Sequence, residues 1–471
     1  MTRRTKIFCT IGPASSTPDL LDDMIRAGMD VARIALAHCS VEEGLARMQR
    51  IRDASERMQR PVGVLIDLPG PKTRISTLDP SGVELATGQR VELRPGSGAS
   101  SADLLFVEYT ALLDDVRAGD VLPIGDGSIV VRIDGTTSEG LQAEVLSGGL
   151  LRGRPGVHIP SDRLSMRSPT DEDLRLLDPF LDADVDMVAL SFVRSGSDVR
   201  RLGTQPHPTG PLIVSKIENR AAVENLDGII AESGAIMVAR GDLGAECSLA
   251  ELPHLQKEII ERCIAGGLPV ITATQMLETM VSAPTPTRAE ASDVANAVFD
   301  GSSALMLSAE TAIGAHPIAS VQTMADIAEL ADERFDPRVW ANRLEAMHLR
   351  TPSITDAMTS AAASACETLD LDAIIAITGT GFTVRSMARF RPKASILGFT
   401  NNPRTLRQLT SSWGTTPVLL MSTGSYEERV AEAVASAKAA GLVQEGALVG
   451  VLAGMDRANN ATDSFRVQRV R

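Results

Sequence analysis

Two short apolar segments of this chain end in charged residues that could do chemistry. The segment 212–217 contains Lys216 near its end and is followed by Glu218. Residues 235–239 are followed by Asp242. Side chains two positions apart on a strand share a face, so Lys216 and Glu218 project together. If the segments are neighbouring strands, one ammonium and two carboxylates converge, which suits a divalent cation beside a transferring phosphoryl group. A salt bridge between strand ends is the alternative interpretation.

Length and composition exclude several classes of protein. The 471 residues are too many for one ordinary core, so two to four domains are expected. A hydrophobic content of 44% with 23% charged residues is typical of a soluble globular protein. The net charge of −14 argues against non-specific nucleic-acid binding.

The cysteines and the N-terminal segment indicate a location. Five cysteines occur without a C-x-x-C pair, which is typical of a reduced, cytosolic protein. No apolar run reaches transmembrane length, so no membrane partner is expected. The first residues lead directly into a predicted strand rather than a signal peptide. We therefore expect a cytoplasmic protein.

Eight predicted strands alternate with predicted helices. Apolar runs bounded by turn signals predict strands at 6–10, 31–36, 62–67, 187–192, 212–217, 235–239, 269–274 and 303–308. Eight such units are the number that closes a (β/α)₈ TIM barrel. An open doubly wound sheet is the alternative, although the count and the strand-end chemistry favour the barrel.

Two further regions interrupt and follow this alternation. Residues 69–165 read as short strands between glycine-rich turns, which predicts an inserted small β-barrel lid domain. Residues 1–68 and 166–335 then form the barrel. Residues 336–471 predict a C-terminal α/β domain, with 343–353 as a linker or a poorly patterned helix.

Predicted strands two to eight all end in charged or hydroxyl side chains. These residues are Arg33, His38, Asp67, Lys72, Arg74, Ser191, Arg194, Lys216, Glu218, Arg240, Asp242, Thr272, Thr274, Ser308 and Glu310. Barrel enzymes place their active sites at this end of the strands. The mixture of cations and carboxylates suits an anionic substrate held partly through a metal. The motifs of P-loop and Rossmann nucleotide sites are absent from the sequence, as is a Cys/His cluster for zinc.

Several motifs, in order along the whole chain, resemble the pyruvate kinase family. They are TKIFCTIGPA at 5–14, SKIEN at 215–219, MVARGDLG at 237–244, ATQML at 273–277, TRAEASDVANA at 287–297 and MLSAET at 306–311. The resemblance implies phosphoryl transfer from phosphoenolpyruvate to ADP, giving pyruvate and ATP in glycolysis. It also implies a homotetramer, and a lid that excludes water from the reaction.

The resemblance assigns roles on the phosphoenolpyruvate side. It implies that Lys216 contacts the transferring phosphoryl group and that Arg33 holds the phosphate. Glu218 and Asp242 would bind Mg²⁺ or Mn²⁺, with Asp242 also close to the substrate. These roles agree with the interpretation of the charges, because phosphoryl transfer depends mainly on positioning and charge neutralisation.

The resemblance also assigns the remaining substrate contacts. Gly241 and Thr274 would meet the carboxylate end of the substrate. Thr274 and Ser308 would lie on the proton path to the enolate. His38 and Arg74 would face the nucleotide.

The chain departs from the family pattern where a monovalent cation usually binds. Ala35 and Ala37 stand where the family usually has Asn and Ser, and Leu68 where it often has Thr. Lys72 stands where K⁺-dependent members carry Glu. We interpret Lys72, partnered by Asp67, as a fixed ammonium that replaces K⁺. This pattern resembles the K⁺-independent branch of the family and predicts that K⁺ is not required.

Other departures fall on the nucleotide side. Pro155 occupies a place where the family often has a nucleotide-binding Lys, and Ala35 removes a further polar contact. These changes leave two alternatives open. One is a paralogue with a different phosphoryl acceptor, and the other is a weakly active regulator that binds a phosphorylated metabolite.

A second phosphate-binding segment is predicted in the C-terminal domain. Thr378, Thr380, Gly381 and Thr383 lie between a predicted strand and the N-terminus of a predicted helix. Backbone amides and hydroxyls at such a place can cradle a phosphate. By resemblance, the ligand is a sugar-phosphate or nucleotide effector, whereas a plain tight turn is the alternative.

Overall fold

The first part of the computed structural model alternates strands with helices. The structure describes residues 3–125, 127–346, 353–455 and 461–471. Its first elements are β1 (Lys6–Thr10), α1 (Pro18–Ala27), β2 (Val31–Ala35), α2 (Val41–Arg57) and β3 (Gly63–Asp67). Helix α2 begins where the sequence caps it, because the Ser40 hydroxyl accepts a hydrogen bond from the Glu43 N–H.

The insertion predicted as a small β-barrel follows β3, and it consists of strands in two separate sheets with one short helix. Its elements are β4 (Val83–Leu85), β5 (Arg90–Pro95), β6 (Leu104–Val107), the short helix α3 (Leu112–Asp115), β7 (Val121–Ile124), β8 (Ile129–Thr136), β9 (Leu141–Ser147) and β10 (Gly149–Leu151). The strands pair as a five-stranded sheet, β6-β5-β9-β8-β7, and a two-stranded sheet, β10-β4. Alternate residues point inward, for example Leu141, Ala143 and Val145 of β9, and bury a core separate from that of the barrel.

The β/α alternation resumes after the insertion. The elements are α4 (Asp171–Asp182), β11 (Met187–Leu190), α5 (Gly196–Arg201), β12 (Leu212–Ile217), α6 (Arg220–Glu224), α7 (Leu226–Glu232), β13 (Ala235–Ala239), α8 (Arg240–Glu246), α9 (Leu252–Ala265), β14 (Val270–Ala273), α10 (Arg288–Asp300), β15 (Ala304–Leu307), α11 (Ala309–Ala312) and α12 (Pro317–Glu333).

Eight parallel strands close into a barrel in the order β1-β15-β14-β13-β12-β11-β3-β2. The predicted (β/α)₈ fold is therefore confirmed, and the open sheet is excluded. Side chains such as Phe8, Leu65 and Met237 fill the interior, while a larger apolar cluster lies between strands and helices. Burial on both faces explains why these strands are almost continuously apolar. Strands β12 and β13 are neighbours, with Lys216 opposite Met237.

The C-terminal region is a separate α/β sheet. Its elements are α13 (Pro337–Ala346), α14 (Ile354–Leu369), β16 (Ala373–Ile377), α15 (Phe382–Ala388), β17 (Ser395–Thr400), α16 (Pro403–Gln408), β18 (Thr415–Leu419), α17 (Tyr426–Ala439), β19 (Leu448–Ala453) and β20 (Ser464–Arg469). The strand order is β18-β17-β16-β19-β20, and the antiparallel edge strand β20 was not predicted. Part of the predicted linker 343–353 is helical in α13, and residues 347–352 lie outside the described residues. No helix in the described part of the chain is long and apolar enough to cross a membrane.

Candidate active site

Charged side chains converge at the C-terminal ends of the barrel strands, which we call the catalytic end. The ammonium of Lys216 lies 2.7 Å from Glu218 Oε1 and 3.5 Å from Asp67 Oδ1. It also donates a hydrogen bond of 2.8 Å to the Ser191 hydroxyl. All four residues are buried. The predicted convergence of Lys216 and Glu218 is thus present, because both side chains leave β12 on the same face.

Asp67, at the end of β3, joins this group to β2. Arg33 Nε donates to Asp67 Oδ2 at 2.7 Å, and Arg33 Nη1 donates to the Thr10 hydroxyl at 2.9 Å. Burial alone would raise the pKa of Asp67, but the charges of Lys216 and Arg33 outweigh it and hold the pKa below its usual value. Asp67 therefore stays ionised, fixed between two cations.

Lys72 pairs with a different carboxylate from the predicted one. Its ammonium lies 3.1 Å from Asp242 Oδ1 and 5.8 Å from the centre of the Phe192 ring. The predicted pair between Lys72 and Asp67 is therefore wrong. The physical reason is that Asp67 is buried and already engaged by Arg33 and Lys216. Lys72, at the start of the insertion, approaches the site from the β13 side instead.

Glu218 and Asp242 are the two carboxylates that could hold a divalent cation. Burial raises the pKa of Glu218, and the nearby Asp242 charge raises it further, against the effect of Lys216. Burial would also raise the pKa of Asp242, but Lys72 and Lys216 together lower it. Within the described residues, no group of three or more His, Cys, Asp or Glu could hold a metal. Two carboxylates fit Mg²⁺, which takes its remaining ligands from water and substrate oxygens.

Thr274 and Ser308 follow the neighbouring strands β14 and β15. The Gly241 N–H donates to the Thr274 hydroxyl at 2.8 Å, and this hydroxyl donates to the Ala273 carbonyl at 2.6 Å. The Ser308 N–H donates to Glu310 at 2.7 Å, while its buried hydroxyl has no hydrogen-bond partner among the described residues. The two hydroxyls therefore lie at the ends of adjacent strands, with β14 next to β13 and β15 one strand further around the barrel.

The predicted nucleotide residues lie on the β2 side of the site. His38 ends a 3₁₀ turn after β2 and is exposed. Its pKa is lowered, first because nearby protein atoms remove part of the hydration of the exposed ring, and then because Arg33, Arg74 and Lys72 are positively charged. Arg74 donates to the Arg154 carbonyl of the insertion at 3.0 Å. A basic patch thus lies between barrel and insertion.

Three residues of the predicted effector loop, Thr378, Thr380 and Thr383, line one side of a separate cavity of about 210 Å³. Gly381 has a φ of 81°, and its N–H donates to the Thr378 hydroxyl at 2.9 Å. The Thr380 hydroxyl accepts from the Phe382 N–H at 3.3 Å, and Thr383 contacts Thr462 across the cavity wall. The hydroxyls of Thr378 and Thr380 bond within the loop and that of Thr383 bonds to Thr462, so they shape the cavity at the N-terminus of α15.

Sequence reasoning gave no role to three residues that contact the site. Ser191 binds Lys216, and the Phe192 N–H donates to Glu218 at 2.6 Å. Arg240 binds the backbone beside Thr274. Ser191 and Arg240 carried a signal, since both stand at strand ends. Phe192 carried none, because its contact is a backbone group at a positive φ of 56°.

The fold and the site together define a (β/α)₈-barrel enzyme of the phosphotransferase class. A family model described as pyruvate kinase, barrel domain, matches residues 2–321. A second, described as pyruvate kinase, alpha/beta domain, matches residues 356–468. The chain belongs to the pyruvate kinase family.

Individual pyruvate kinases match this chain over nearly its full length. The chain is 36% identical to a pyruvate kinase of Bacillus licheniformis, covering 99% of this chain and 80% of that protein. It is 35% identical to a pyruvate kinase of Clostridium acetobutylicum, covering 99% of this chain and 100% of that protein. A crystal structure of a pyruvate kinase from Cryptosporidium parvum superposes with a TM-score of 0.90 at 33% identity, covering 100% of this chain and 96% of that one.

Proposed function

We propose that this chain transfers a phosphoryl group from phosphoenolpyruvate to ADP, giving pyruvate and ATP. The observation that carries the proposal is the buried Lys216 ammonium, 2.7 Å from Glu218 and 3.5 Å from Asp67. Several relatives that cover nearly the whole chain are named pyruvate kinase, which supports the same reaction.

Lys216 and Arg33 neutralise the transferring group in this proposal. Burial would lower the pKa of Lys216, but the Asp67 and Glu218 carboxylates raise it above its usual value. Lys216 therefore remains an ammonium, and Arg33 holds the phosphate oxygens from β2, three strands around the barrel from β12. Fixed cations stabilise the charge of the transition state without reorganising.

Glu218 and Asp242 would hold Mg²⁺ or Mn²⁺. When bound, the cation supplies charge neutralisation on the phosphoryl and carboxylate oxygens of the substrate. The Lys72 ammonium, 3.1 Å from Asp242, limits the negative charge of this pair. The Phe192 N–H fixes one oxygen of Glu218.

The other end of phosphoenolpyruvate lies, in this proposal, against Gly241 and Thr274. In the structure the Gly241 N–H donates to the Thr274 hydroxyl, and in this proposal the bound substrate carboxylate replaces that contact and accepts from both groups. Thr274, with Ser308 on the next strand, carries the proton that converts the enolate to pyruvate. A hydroxyl suits this step because it can both donate and accept a proton.

We assign the nucleotide to the basic patch of His38 and Arg74 and expect no K⁺ requirement. Lys72 supplies the positive charge that replaces K⁺, and its carboxylate partner is Asp242 rather than Asp67. Ala35 and Ala37 offer no side-chain oxygen as a K⁺ ligand. We also expect a homotetramer in the cytoplasm, and a sugar-phosphate or nucleotide effector on Thr378, Thr380, Gly381 and Thr383.

The test is pyruvate formation from phosphoenolpyruvate and ADP with Mg²⁺, measured with and without K⁺. We expect turnover that Mg²⁺ removal abolishes and that K⁺ changes little. A large stimulation by K⁺ would contradict the role of Lys72 but not the reaction.

Ala35, Ala37 and Pro155 favour a second candidate function. They remove polar contacts on the nucleotide side, so the acceptor could differ from ADP, or the chain could act as a weakly active sensor. Binding of phosphoenolpyruvate without turnover on ADP would favour these alternatives. Turnover on another nucleoside diphosphate would separate the first from the second.

A further inference from the structure

The turn after β14 is strained at two consecutive residues. Thr274 has a φ of 68° and Gln275 a φ of 54°, both in the left-handed region. This region is unfavourable for residues with a side chain, and most of all for a β-branched residue such as Thr. Such conformations persist only where the surrounding structure enforces them. Some other group must therefore hold this turn.

Arg240 is that group. Its Nη2 donates to the carbonyls of Thr274 at 2.7 Å and Gln275 at 3.0 Å, and its Nε lies 3.2 Å from the Thr274 carbonyl. Arg240 is 7% exposed and is fixed from behind by Asp293, 2.7 Å from Nη1. One planar guanidinium thus grips both strained peptide groups, which a flexible ammonium could not do as well.

The next residue holds the same threonine by its side chain. The Gly241 N–H donates to the Thr274 hydroxyl at 2.8 Å. The dipeptide 240–241 therefore fixes the backbone of Thr274 on one side and its hydroxyl on the other. The orientation of that hydroxyl depends on the strained turn, since φ sets the direction in which the side chain leaves the backbone.

We propose that Arg240 is a positioning residue, which holds the Thr274–Gln275 turn in its left-handed conformation and so aims the Thr274 hydroxyl at the substrate. The inference rests on the proposed function, in which Thr274 carries the proton of the enolate. Arg240 acts through Thr274 and does not touch the reacting atoms.

The experiment compares Arg240→Met and Arg240→Lys with the unaltered enzyme in two assays. One is steady-state pyruvate formation, and the other is deuterium exchange at the methyl group of pyruvate in D₂O, followed by NMR. We expect Arg240→Met to lower kcat and the exchange rate together by roughly 100-fold, with little change in KM, because a small misplacement of a reacting group costs about that much. Arg240→Lys keeps the positive charge opposite Asp293, so its kcat and exchange rate should fall less than those of Arg240→Met.

A glycine at Gln275, one of the two strained positions, should partly restore the activity of the Arg240→Met enzyme. Gly adopts a positive φ without cost, so Gln275→Gly should restore part of kcat in the Arg240→Met enzyme. Arg391→Met is the matched control, since Arg391 is buried and donates to the carbonyls of Val298 and Ser302 away from the site. It should lower the melting temperature and leave kcat unchanged.

Three outcomes would overturn the inference: kcat retained in both Arg240 variants, a change in KM instead of kcat, or no rescue by Gln275→Gly. Thr274→Ala separates this inference from the proposed function. If Thr274→Ala keeps normal proton exchange, the assigned role of Thr274 is wrong and the positioning role fails with it. If Thr274→Ala loses exchange while the Arg240 variants do not, only the positioning role fails.

Discussion

Both ends of the barrel bury carboxylates among cations, and the two clusters differ in how their charges are matched. At the catalytic end, Asp67 lies between Arg33 and Lys216. At the opposite end, which faces the C-terminal domain, Asp30 lies 2.8 Å from Arg3, 3.0 Å from Arg60 and 3.9 Å from Lys6.

The cluster at the C-terminal-domain end ties elements together. Arg3 also donates to the Gly28 carbonyl, Arg60 to the Ile25 carbonyl, and Lys6 to the Thr415 carbonyl of β18. Burial would raise the pKa of Asp30, but its cations lower it to about 2. The three cations outnumber this carboxylate, and burial lowers the pKa of Lys6 to about 8. Each cation also binds a backbone carbonyl, so the cluster connects strands, helices and the C-terminal domain.

The catalytic end keeps unfavourable features instead. Lys216 is shared between two carboxylates, and Glu218 carries a raised pKa from burial and from Asp242. Non-glycine residues at positive φ, among them Phe192 and Thr274, adjoin the cluster. Strain and repulsion of this kind concentrate at functional sites because the rest of the fold tolerates them. The contrast teaches that one cluster serves stability and the other chemistry.

The largest expected effect is loss of rate at the catalytic end. Lys216→Met should reduce pyruvate formation by roughly 1,000-fold or more, because a preorganised charge on the transferring group is removed. The circular dichroism spectrum should remain that of a folded barrel, because Glu218, whose pKa burial already raises, can take up a proton when the ammonium is lost. Retained turnover would refute the assigned role of Lys216.

The converse change is a loss of stability at the other end. Asp30→Ala leaves three buried or half-buried cations without their carboxylate, which should cost about 3–5 kcal/mol of unfolding free energy. Urea denaturation followed by tryptophan fluorescence measures this loss, and kcat of the folded enzyme should stay unchanged. Asp23→Ala, at an exposed surface pair, is the control and should be nearly neutral. A similar loss in both variants would contradict the comparison.

A smaller effect on rate is expected at Lys72. Lys72→Met removes a charge-assisted contact with Asp242 that contributes about 1.5–3 kcal/mol, so turnover should fall roughly ten- to a hundredfold. Rates in Na⁺ and K⁺ buffers provide the measurement. Ala35 and Ala37 offer no side-chain oxygen ligands, so added K⁺ should not restore the rate. Full activity of the Lys72→Met variant in the absence of K⁺ would show that Lys72 is not the charge that replaces K⁺.

The smallest effect concerns pH and belongs to the C-terminal-domain end. Burial and the charge of Arg385 lower the pKa of His207 to about 4. Because the folded pKa lies below the unfolded value, the contribution of His207 to stability is complete above about pH 6.5 and falls towards pH 4. His207→Gln keeps a hydrogen-bond acceptor for Arg385. It should reduce the loss of unfolding free energy between pH 7 and pH 5 by on the order of 1 kcal/mol, which the melting temperature measured at each pH will show. An unchanged pH profile would contradict the assignment.

Local chemistry explains what could be predicted from the chain. Strand periodicity placed Lys216 and Glu218 on one face, and the eight apolar segments predicted the barrel. Partners from distant segments could not be predicted in the same way. Lys72 binds Asp242 rather than Asp67, because burial and prior pairing of Asp67 decide the contact. The edge strand β20 escaped prediction because it is only partly buried and has only two alternating apolar residues, Phe465 and Val467.

The amino-acid sequence by itself determined the order of strands and helices, the all-β insertion and the charged strand ends, since these follow from periodicity and turn chemistry. Only the tertiary structure decided which charges meet and which backbone positions are strained. The positive φ of Thr274 and the grip of Arg240 on it depend on two strands brought side by side by barrel closure. Such contacts join residues more than thirty positions apart, and no local pattern encodes them.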